Sequence, residues 1–114
     1  MTKLLNGPKN SITDIDGFLV GNAHDDHLKS GTTVLTRLTS FRASVSILGG
    51  APGTKEADLL APDKIIEKID GIVLAGGSAF GLDASSGVMD CLRSQNRGFD
   101  AGNIKVPILS LIHI

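Results

Sequence analysis

A strand, a glycine turn and the start of a helix follow one another in GIVLAGGSAFGLD, residues 71–83. The apolar run at 71–75 is flanked by glycine and predicts a buried strand. Residues 76–78 turn the chain, and a helix is predicted over 80–95. Its apolar stripe is formed by Phe80, Ala84, Val88, Cys91 and Leu92. A buried strand that turns directly into a helix is typical of an α/β protein.

The segments on either side add short strands and one more helix. Residues 17–21, 32–38, 43–48 and 105–114 are predicted strands, with a polar loop at 22–31 and a hairpin connection at 39–42. A helix is predicted over 62–70, because Pro62 suits a first turn and the isoleucines at 65, 66 and 69 share one face. The order is β-β-β-α-β-α-β. The predicted core comprises Val34, Val45, Ile47, Ile72, Val73 and Leu74.

Composition and charge exclude several classes of protein. The 114 residues allow one domain, which we interpret as a single incomplete domain with a loose lead-in at 1–10. The net charge of -1 gives no electrostatic footprint for nucleic acid, and no apolar stretch is long enough to cross a bilayer. The N-terminus forms no signal-peptide apolar region, and a single cysteine, Cys91, excludes an intrachain disulfide. These absences together favour the cytoplasm.

Two glycine clusters are the candidate cleft-forming or substrate-side elements. The candidate residues are Gly76, Gly77, Ser78, Gly81 and Asp83 in one cluster and Gly49 and Gly50 in the other. A helix N-terminus offers unpaired N–H groups to an anion or a carbonyl oxygen, and glycine lets a substrate approach the backbone. The alternative is that the glycines only allow tight packing between strand and helix. These residues leave both explanations open.

Three known motifs fail at the first cluster. The dinucleotide-binding pattern needs glycine at position 78, the phosphate-binding loop needs Gly-Lys-Ser/Thr, and the nucleophile elbow needs glycine where Phe80 stands. We therefore interpret Ser78 as a helix cap rather than a nucleophile.

Other reactive side chains are given structural interpretations. His24 and His27 flank two aspartates, but their spacing matches no standard zinc or calcium signature, so we predict an exposed polar loop without metal. Cys91 is interpreted as a small core residue.

Taken together, these residues resemble the DmpA-type aminopeptidases, which include L-aminopeptidase/D-esterases, β-peptidyl aminopeptidases and nylon-oligomer hydrolases. The two specific motifs are GGAPGTKEADLL at 49–60 and GGSAFGLDA at 76–84. Shorter matches at 11–17, 20–21, 31–34, 97–99 and 106–108 extend the resemblance over residues 11–108. Two features depart from the family pattern. Asn22 stands where the family commonly has histidine, and residues 109–114 no longer match, which leaves open whether this tail is native.

The resemblance implies an αββα sandwich like that of N-terminal-nucleophile hydrolases, of which this chain is a truncated α/β part. It implies a precursor that cuts itself in two and exposes a Ser or Thr as nucleophile. The α-amino group of that residue is a suitable base, because such groups titrate at about 7.7–8.0. The resemblance also implies a small peptide, amide or ester substrate, no cofactor and a homo-oligomeric full-length protein.

The nucleophile is expected beyond Ile114, so we assign no catalytic residue in this chain and expect it to be inactive alone. Its expected partner is the missing C-terminal part of the same precursor. Two other classes remain as alternatives. One is a small-ligand or nucleotide-binding module that uses residues 76–81 as an anion site, and the other is a structural or interaction fragment. The sequence does not specify the substrate, the stereochemical preference, the oligomeric state or the choice between Ser and Thr.

Overall fold

The computed structural model of the protein describes residues 4–113 as a mixed α/β chain. Its strands are β1 (Phe18–Asp25), β2 (Ser30–Phe41), β3 (Thr54–Lys55), β4 (Ile69–Ala75), β5 (Phe99–Asp100), β6 (Lys105–Val106) and β7 (Leu109–His113). Its helices are the single turn α1 (Ser78–Gly81) and α2 (Ala84–Ser94), with 3₁₀ turns at Ile12–Asp14 and Asp58–Leu60. Five strands form one sheet in the order β1-β2-β4-β7-β3, and β5 and β6 form a separate pair. The predicted α/β class is confirmed.

β1 and β2 form an antiparallel hairpin, in which Phe18 pairs with Arg37 at one end and Asp25 pairs with Ser30 at the other. The polar loop predicted at 22–31 is wrong over most of its length, because residues 22–25 continue β1 and residues 30–31 begin β2. Polar side chains are tolerated here because β1 lies at the sheet edge and is largely exposed. The Thr33 hydroxyl donates a hydrogen bond of 2.6 Å to the Asn22 side chain and links the two strands.

Strand β2 runs on to Phe41, which is 8% exposed and contacts the Phe18 ring edge-on at 5.3 Å. The predicted hairpin at 39–42 and the predicted strand at 43–48 are therefore wrong. Phe41 is paired with Ile69, the first residue of β4, so within residues 4–113 no neighbouring strand remains to pair with the chain after this point.

The predicted helix at 62–70 is also wrong, because the chain is irregular up to residue 68 and β4 begins at Ile69. Ile65 is 95% exposed, whereas Ile69 is 1% exposed within the sheet. The isoleucine spacing therefore does not correspond to a buried helix face, and burial of Ile69 in the sheet prevails over local helix signals.

The core lies where α2 covers β4 and β7. Val73, Ala75 and Leu111 form its buried cluster, and Val34, Leu82, Ala84 and Val88 pack against it. β4 runs antiparallel to β2 and parallel to β7, so the predicted buried strand at 71–75 is confirmed and starts two residues earlier.

The individual core predictions had mixed outcomes. Val73 is fully buried, while Val34, Val45, Ile72 and Leu74 are partly buried. Ile47 is 40% exposed, so its prediction was wrong, because residues 43–48 lie outside the sheet.

The helix predicted at 80–95 is divided into α1 and α2. Leu92, Ala84 and Val88 face the core region as predicted. Phe80 and Cys91 do not, because Phe80 lies in α1 with 92% of its surface exposed and Cys91 is also exposed.

The apolar end of the chain forms a strand, as predicted, but in two pieces. Lys105 and Val106 pair with β5, and Leu109–His113 pairs with β4 and β3. The buried Pro107 separates them, since proline has no N–H to donate to a sheet. Ile114 lies outside the described residues. No helix in the described part of the chain is long and apolar enough to cross a membrane.

Candidate functional site

The first glycine cluster lies at the C-terminal end of β4, where the chain turns into α1. Gly77 is the N-cap residue of α1 with φ of 93°, and Ser78 follows with φ of 57°. The interpretation of Ser78 as the helix cap was therefore wrong, because Gly77 holds that position. The Ser78 N–H instead donates a hydrogen bond of 3.0 Å to Nε2 of His113, at the end of β7.

Close backbone packing explains two of the glycines. A Cβ added to Gly81 would overlap the carbonyl of Gly76, and a Cβ added to Gly76 would lie 2.8 Å from Oγ of Ser30. The turn therefore folds back on itself and also presses against the start of β2. At Gly81 the packing explanation is sufficient.

Gly76 and Gly77 also line a groove of about 800 Å³ between the turn and the tip of the β1–β2 hairpin. Asn22, Ser30 and Thr33 line its wall, together with Asp25, Asp26 and Lys29 at the hairpin tip. The groove therefore presents hydrogen-bonding groups of both kinds beside a backbone that carries no side chains.

Gly49 and Gly50, the candidate residues of the second glycine cluster, do not line this groove. Gly49 and Gly50 are exposed, and a Cβ added to either would meet no heavy atom within 4 Å. The second glycine loop is linked to the first through Gly53 and His113. The Gly53 carbonyl accepts a hydrogen bond of 2.8 Å from the His113 N–H. His113 thus contacts both loops, and no local sequence signal identified it.

Asp83 occupies the N-cap position of α2. Its Oδ1 accepts a hydrogen bond of 2.9 Å from the Ser86 hydroxyl, and its side chain is exposed. A carboxylate at this position interacts favourably with the positive end of the helix dipole. Helix stabilisation accounts for Asp83 without a ligand.

The predicted exposure of His24 and His27 is confirmed. Nε2 of His24 lies 3.7 Å from Oδ1 of Asp26, with both side chains exposed. Within residues 4–113, no group of three or more potential metal ligands comes together. Cys91 is exposed, contrary to its interpretation as a core residue, and borders a second groove.

This second groove is apolar and measures about 660 Å³. It lies between α2 and the outer strands β1 and β2, and Leu19, Val34, Leu38 and Val88 contribute to its walls. Leu19 and Leu38 are 50% and 80% exposed, so α2 leaves this part of the sheet uncovered.

Comparison with known proteins shows that this α/β chain with its glycine turn belongs to the peptidases. The chain belongs to peptidase family S58, whose sequence profile matches residues 10–110 and so includes both glycine motifs. The predicted membership of the DmpA-type aminopeptidase family is thereby confirmed.

Two relatives illustrate the similarity. The chain is 44% identical to an uncharacterized aminopeptidase of Mycobacterium leprae over 115 residues, which covers 93% of this chain and 32% of the relative. It is 41% identical to an uncharacterized aminopeptidase of Mycobacterium tuberculosis over 108 residues, covering 88% of this chain and 31% of the relative. The chain therefore spans about a third of the length of these relatives.

Proposed function

We propose that this chain is the N-terminal part of the first subunit of a self-processing aminopeptidase or amide hydrolase. The observation that carries the proposal is the family match over residues 10–110, with both glycine motifs inside it. The parent protein would release N-terminal residues from small peptides, amides or esters. A Ser or Thr exposed by self-cleavage would be the nucleophile, and its α-amino group the base.

The extended shape and uncovered sheet surface of the chain support this proposal. Its radius of gyration is 15.4 Å, whereas a compact domain of this length has about 13 Å. One face of β1 and β2 is left without cover beside α2. On this proposal, the sheet with α2 on one face would be one half of an αββα sandwich, and the rest of the precursor would supply the other half.

Within residues 4–113, Ser78 is not part of an assembled nucleophile and base. In the part of the chain that the structure describes, no hydrogen bond joins the Ser78 hydroxyl to a histidine or a carboxylate. Nucleophilic catalysis by serine requires a base placed to remove its proton. The glycine turn would therefore contribute shape and backbone groups to the substrate cleft rather than the reacting atom.

The proposal also includes the location, oligomeric state and cofactors of the parent protein. It would act in the cytoplasm as a homo-oligomer, without a metal or organic cofactor, and without binding nucleic acid or membrane. The anion-site alternative is less favoured, because the Ser78 N–H at the turn already donates to His113.

An activity assay on amino-acid p-nitroanilides tests the proposal, with this chain and the full-length Mycobacterium leprae relative measured in parallel. We expect turnover only by the relative. Intact-mass measurement of the active protein should show two polypeptides, the second beginning with Ser or Thr. A valine at the position aligned with Gly77 should reduce processing or turnover at least tenfold, because φ of 93° is strained for a β-branched residue.

The control is a valine at the position aligned with the exposed Ser94, which should process and act normally. An active, uncleaved relative would contradict the self-processing mechanism. Turnover by residues 1–114 that Ser78→Ala abolishes would make Ser78 the nucleophile and overturn the proposal.

A further inference from the structure

Asn6 is the only asparagine in the sequence that precedes a glycine. The backbone nitrogen of the next residue can attack the side-chain amide of an asparagine, and a following glycine hinders that attack least because it has no Cβ. Position 6 therefore combines the two residue types that favour this reaction. The other four asparagines, which precede residues with a Cβ, are Asn10, Asn22, Asn96 and Asn103.

The fold leaves both reacting groups at position 6 free. Asn6 and Gly7 are exposed and lie outside the helices and strands. Within residues 4–113, neither the Asn6 side chain nor the Gly7 N–H makes a hydrogen bond. The Gly7 nitrogen can therefore approach the Asn6 amide carbon without breaking a hydrogen bond of the folded chain.

At two other asparagines, the N–H of the next residue is held by the fold. The N–H of Arg97, which follows Asn96, donates a hydrogen bond of 3.0 Å to the Leu92 carbonyl at the end of α2. The N–H that follows Asn10 donates one of 3.2 Å to Oδ2 of Asp14. These bonds would have to break before the nitrogen could attack, so the fold protects both sites.

The remaining two asparagines are disfavoured for other reasons. Asn22 lies within β1, where its side-chain oxygen accepts a hydrogen bond of 2.6 Å from the Thr33 hydroxyl. Asn103 precedes Ile104, whose branched Cβ crowds the attacking nitrogen. Asn6 is thus the site where sequence and structure both permit the reaction.

We propose that Asn6 is a site of spontaneous deamidation, a covalent modification that needs no enzyme. The Gly7 nitrogen bonds to Cγ of Asn6, the Cγ–Nδ2 bond breaks, and the Gly7 N–H proton leaves with the side-chain nitrogen as ammonia. Water then opens the imide ring at either of its two C–N bonds. One opening gives aspartate, and the other gives isoaspartate, in which the main chain runs through Cγ. The inference does not depend on the proposed enzymatic function.

The isoaspartate product would disturb the turn that follows position 6. A Cβ added to Gly7 would overlap Oδ2 of Asp14, so Gly7 packs directly against this carboxylate. Asp14 also accepts a hydrogen bond of 3.1 Å from the Lys9 N–H, and the Asn10 N–H donates to the Gly7 carbonyl at 3.1 Å. Isoaspartate adds one carbon to the main chain just before Gly7. Modification therefore loosens the turn at 7–10 and adds one negative charge, while the sheet is unchanged.

Peptide mass spectrometry after incubation of the folded chain in mildly alkaline buffer tests the site. A deamidated residue gains about 1 Da, and electron-transfer fragmentation distinguishes isoaspartate from aspartate. We expect Asn6 to deamidate at least about tenfold faster than Asn96 in the same molecules. In urea, where the chain is unfolded, the rate at Asn6 should change by no more than about twofold, because the fold does not protect this residue.

Arg97→Gly is the matched variant, because it gives Asn96 a following glycine while keeping the N–H that donates to the Leu92 carbonyl. In the folded variant, Asn96 should deamidate at least about fivefold more slowly than Asn6, since this hydrogen bond must open first. In urea, the two rates should agree within about twofold. Circular dichroism checks that the variant is folded.

Amide exchange tests the structural consequence. The isoaspartate-containing chain is separated from the unmodified chain by ion exchange. Exchange at Lys9 and Asn10 should be at least about fivefold faster in the modified chain, while exchange in β4 should stay the same. Equal exchange at Lys9 and Asn10 in the two chains would contradict the loosening of the turn.

The wild-type comparison decides the proposal whether or not the variant folds. Deamidation at Asn6 that is no faster than at Asn96, or at least about tenfold slower in the folded chain than in urea, would overturn it. Equal rates at Asn6 and Asn96 in folded Arg97→Gly would contradict the protection by the N–H hydrogen bond, and with it the structural basis for selecting Asn6.

Discussion

At the scale of single residues, two glycines of this chain differ in the space available for a side chain. Gly98 has φ of 131°, and a Cβ there would overlap the backbone of Val106 and Pro107. Gly87 lies inside α2, and a Cβ there would meet no heavy atom within 4 Å. Gly98 is therefore required by both conformation and space, whereas Gly87 only lowers the helix propensity of its segment.

These surroundings predict opposite effects of the same substitution on stability. Gly98→Ala should lower the free energy of unfolding by about 2–4 kcal/mol, through strain and overlap. Gly87→Ala should raise it by about 0.5–1 kcal/mol. Urea unfolding followed by circular dichroism measures both. A Gly98→Ala protein as stable as the wild type would show that the 97–107 segment is arranged differently.

At the scale of elements, one buried aspartate, Asp70, links β4 to β2 and to the start of β7 through its carboxylate and its backbone. Asp70 is 6% exposed, and its Oδ2 accepts a hydrogen bond of 2.9 Å from the N–H of Ile108, just before β7. Its own N–H donates to the Ile108 carbonyl at 2.7 Å, and its carbonyl accepts from the Thr36 hydroxyl of β2 at 2.6 Å. Asp70 thus sets the alignment of β2, β4 and β7 at one end of the sheet.

Removing this carboxylate should destabilise the sheet because the Ile108 N–H would lose its acceptor. We expect Asp70→Ala to lower the free energy of unfolding by about 1–3 kcal/mol and to speed amide exchange at Ile108. Asp70→Asn should have a smaller effect, since its amide oxygen can still accept. The control is Asp63→Ala, whose exposed ion pair with Lys64 contributes little. Unchanged exchange at Ile108 in Asp70→Ala would contradict the assignment.

At the scale of the whole molecule, much apolar surface stays outside the core. The buried cluster beneath α2 is small, and large apolar side chains such as Leu38 and Phe80 lie mostly exposed. Contiguous exposed apolar surface marks interaction sites or aggregation-prone regions. The groove beside α2 is the place where such side chains converge.

The chain should therefore bind the dye ANS, and the groove should account for much of that binding. Leu38→Lys, at a position 80% exposed on the groove wall, should reduce the fluorescence by about half without altering the circular dichroism spectrum. Leu28→Lys is the matched control, because Leu28 is 71% exposed at the hairpin tip and faces the polar groove instead. Equal loss of fluorescence in both variants would locate the dye elsewhere.

The sequence by itself determined the strand, turn and helix at the centre of the fold, and with them the family. The apolar run ending in Ala75, the glycines at 76 and 77 and the stripe through Ala84 and Val88 are local patterns, and local patterns need only neighbours along the chain. The position of the first glycine cluster at a helix start followed from the same patterns.

Only the tertiary structure decided which of the remaining segments became strands. Residues 22–25 are mostly polar but pair with β2, whereas residues 43–48 alternate like a strand and find no partner strand in the part of the chain that the structure describes. Ile69 joins the sheet opposite Phe41 instead of ending a helix. The contacts of His113 with Ser78 and Gly53 likewise join residues far apart in sequence. Strand pairing depends on which distant segments are available, and no local pattern contains that information.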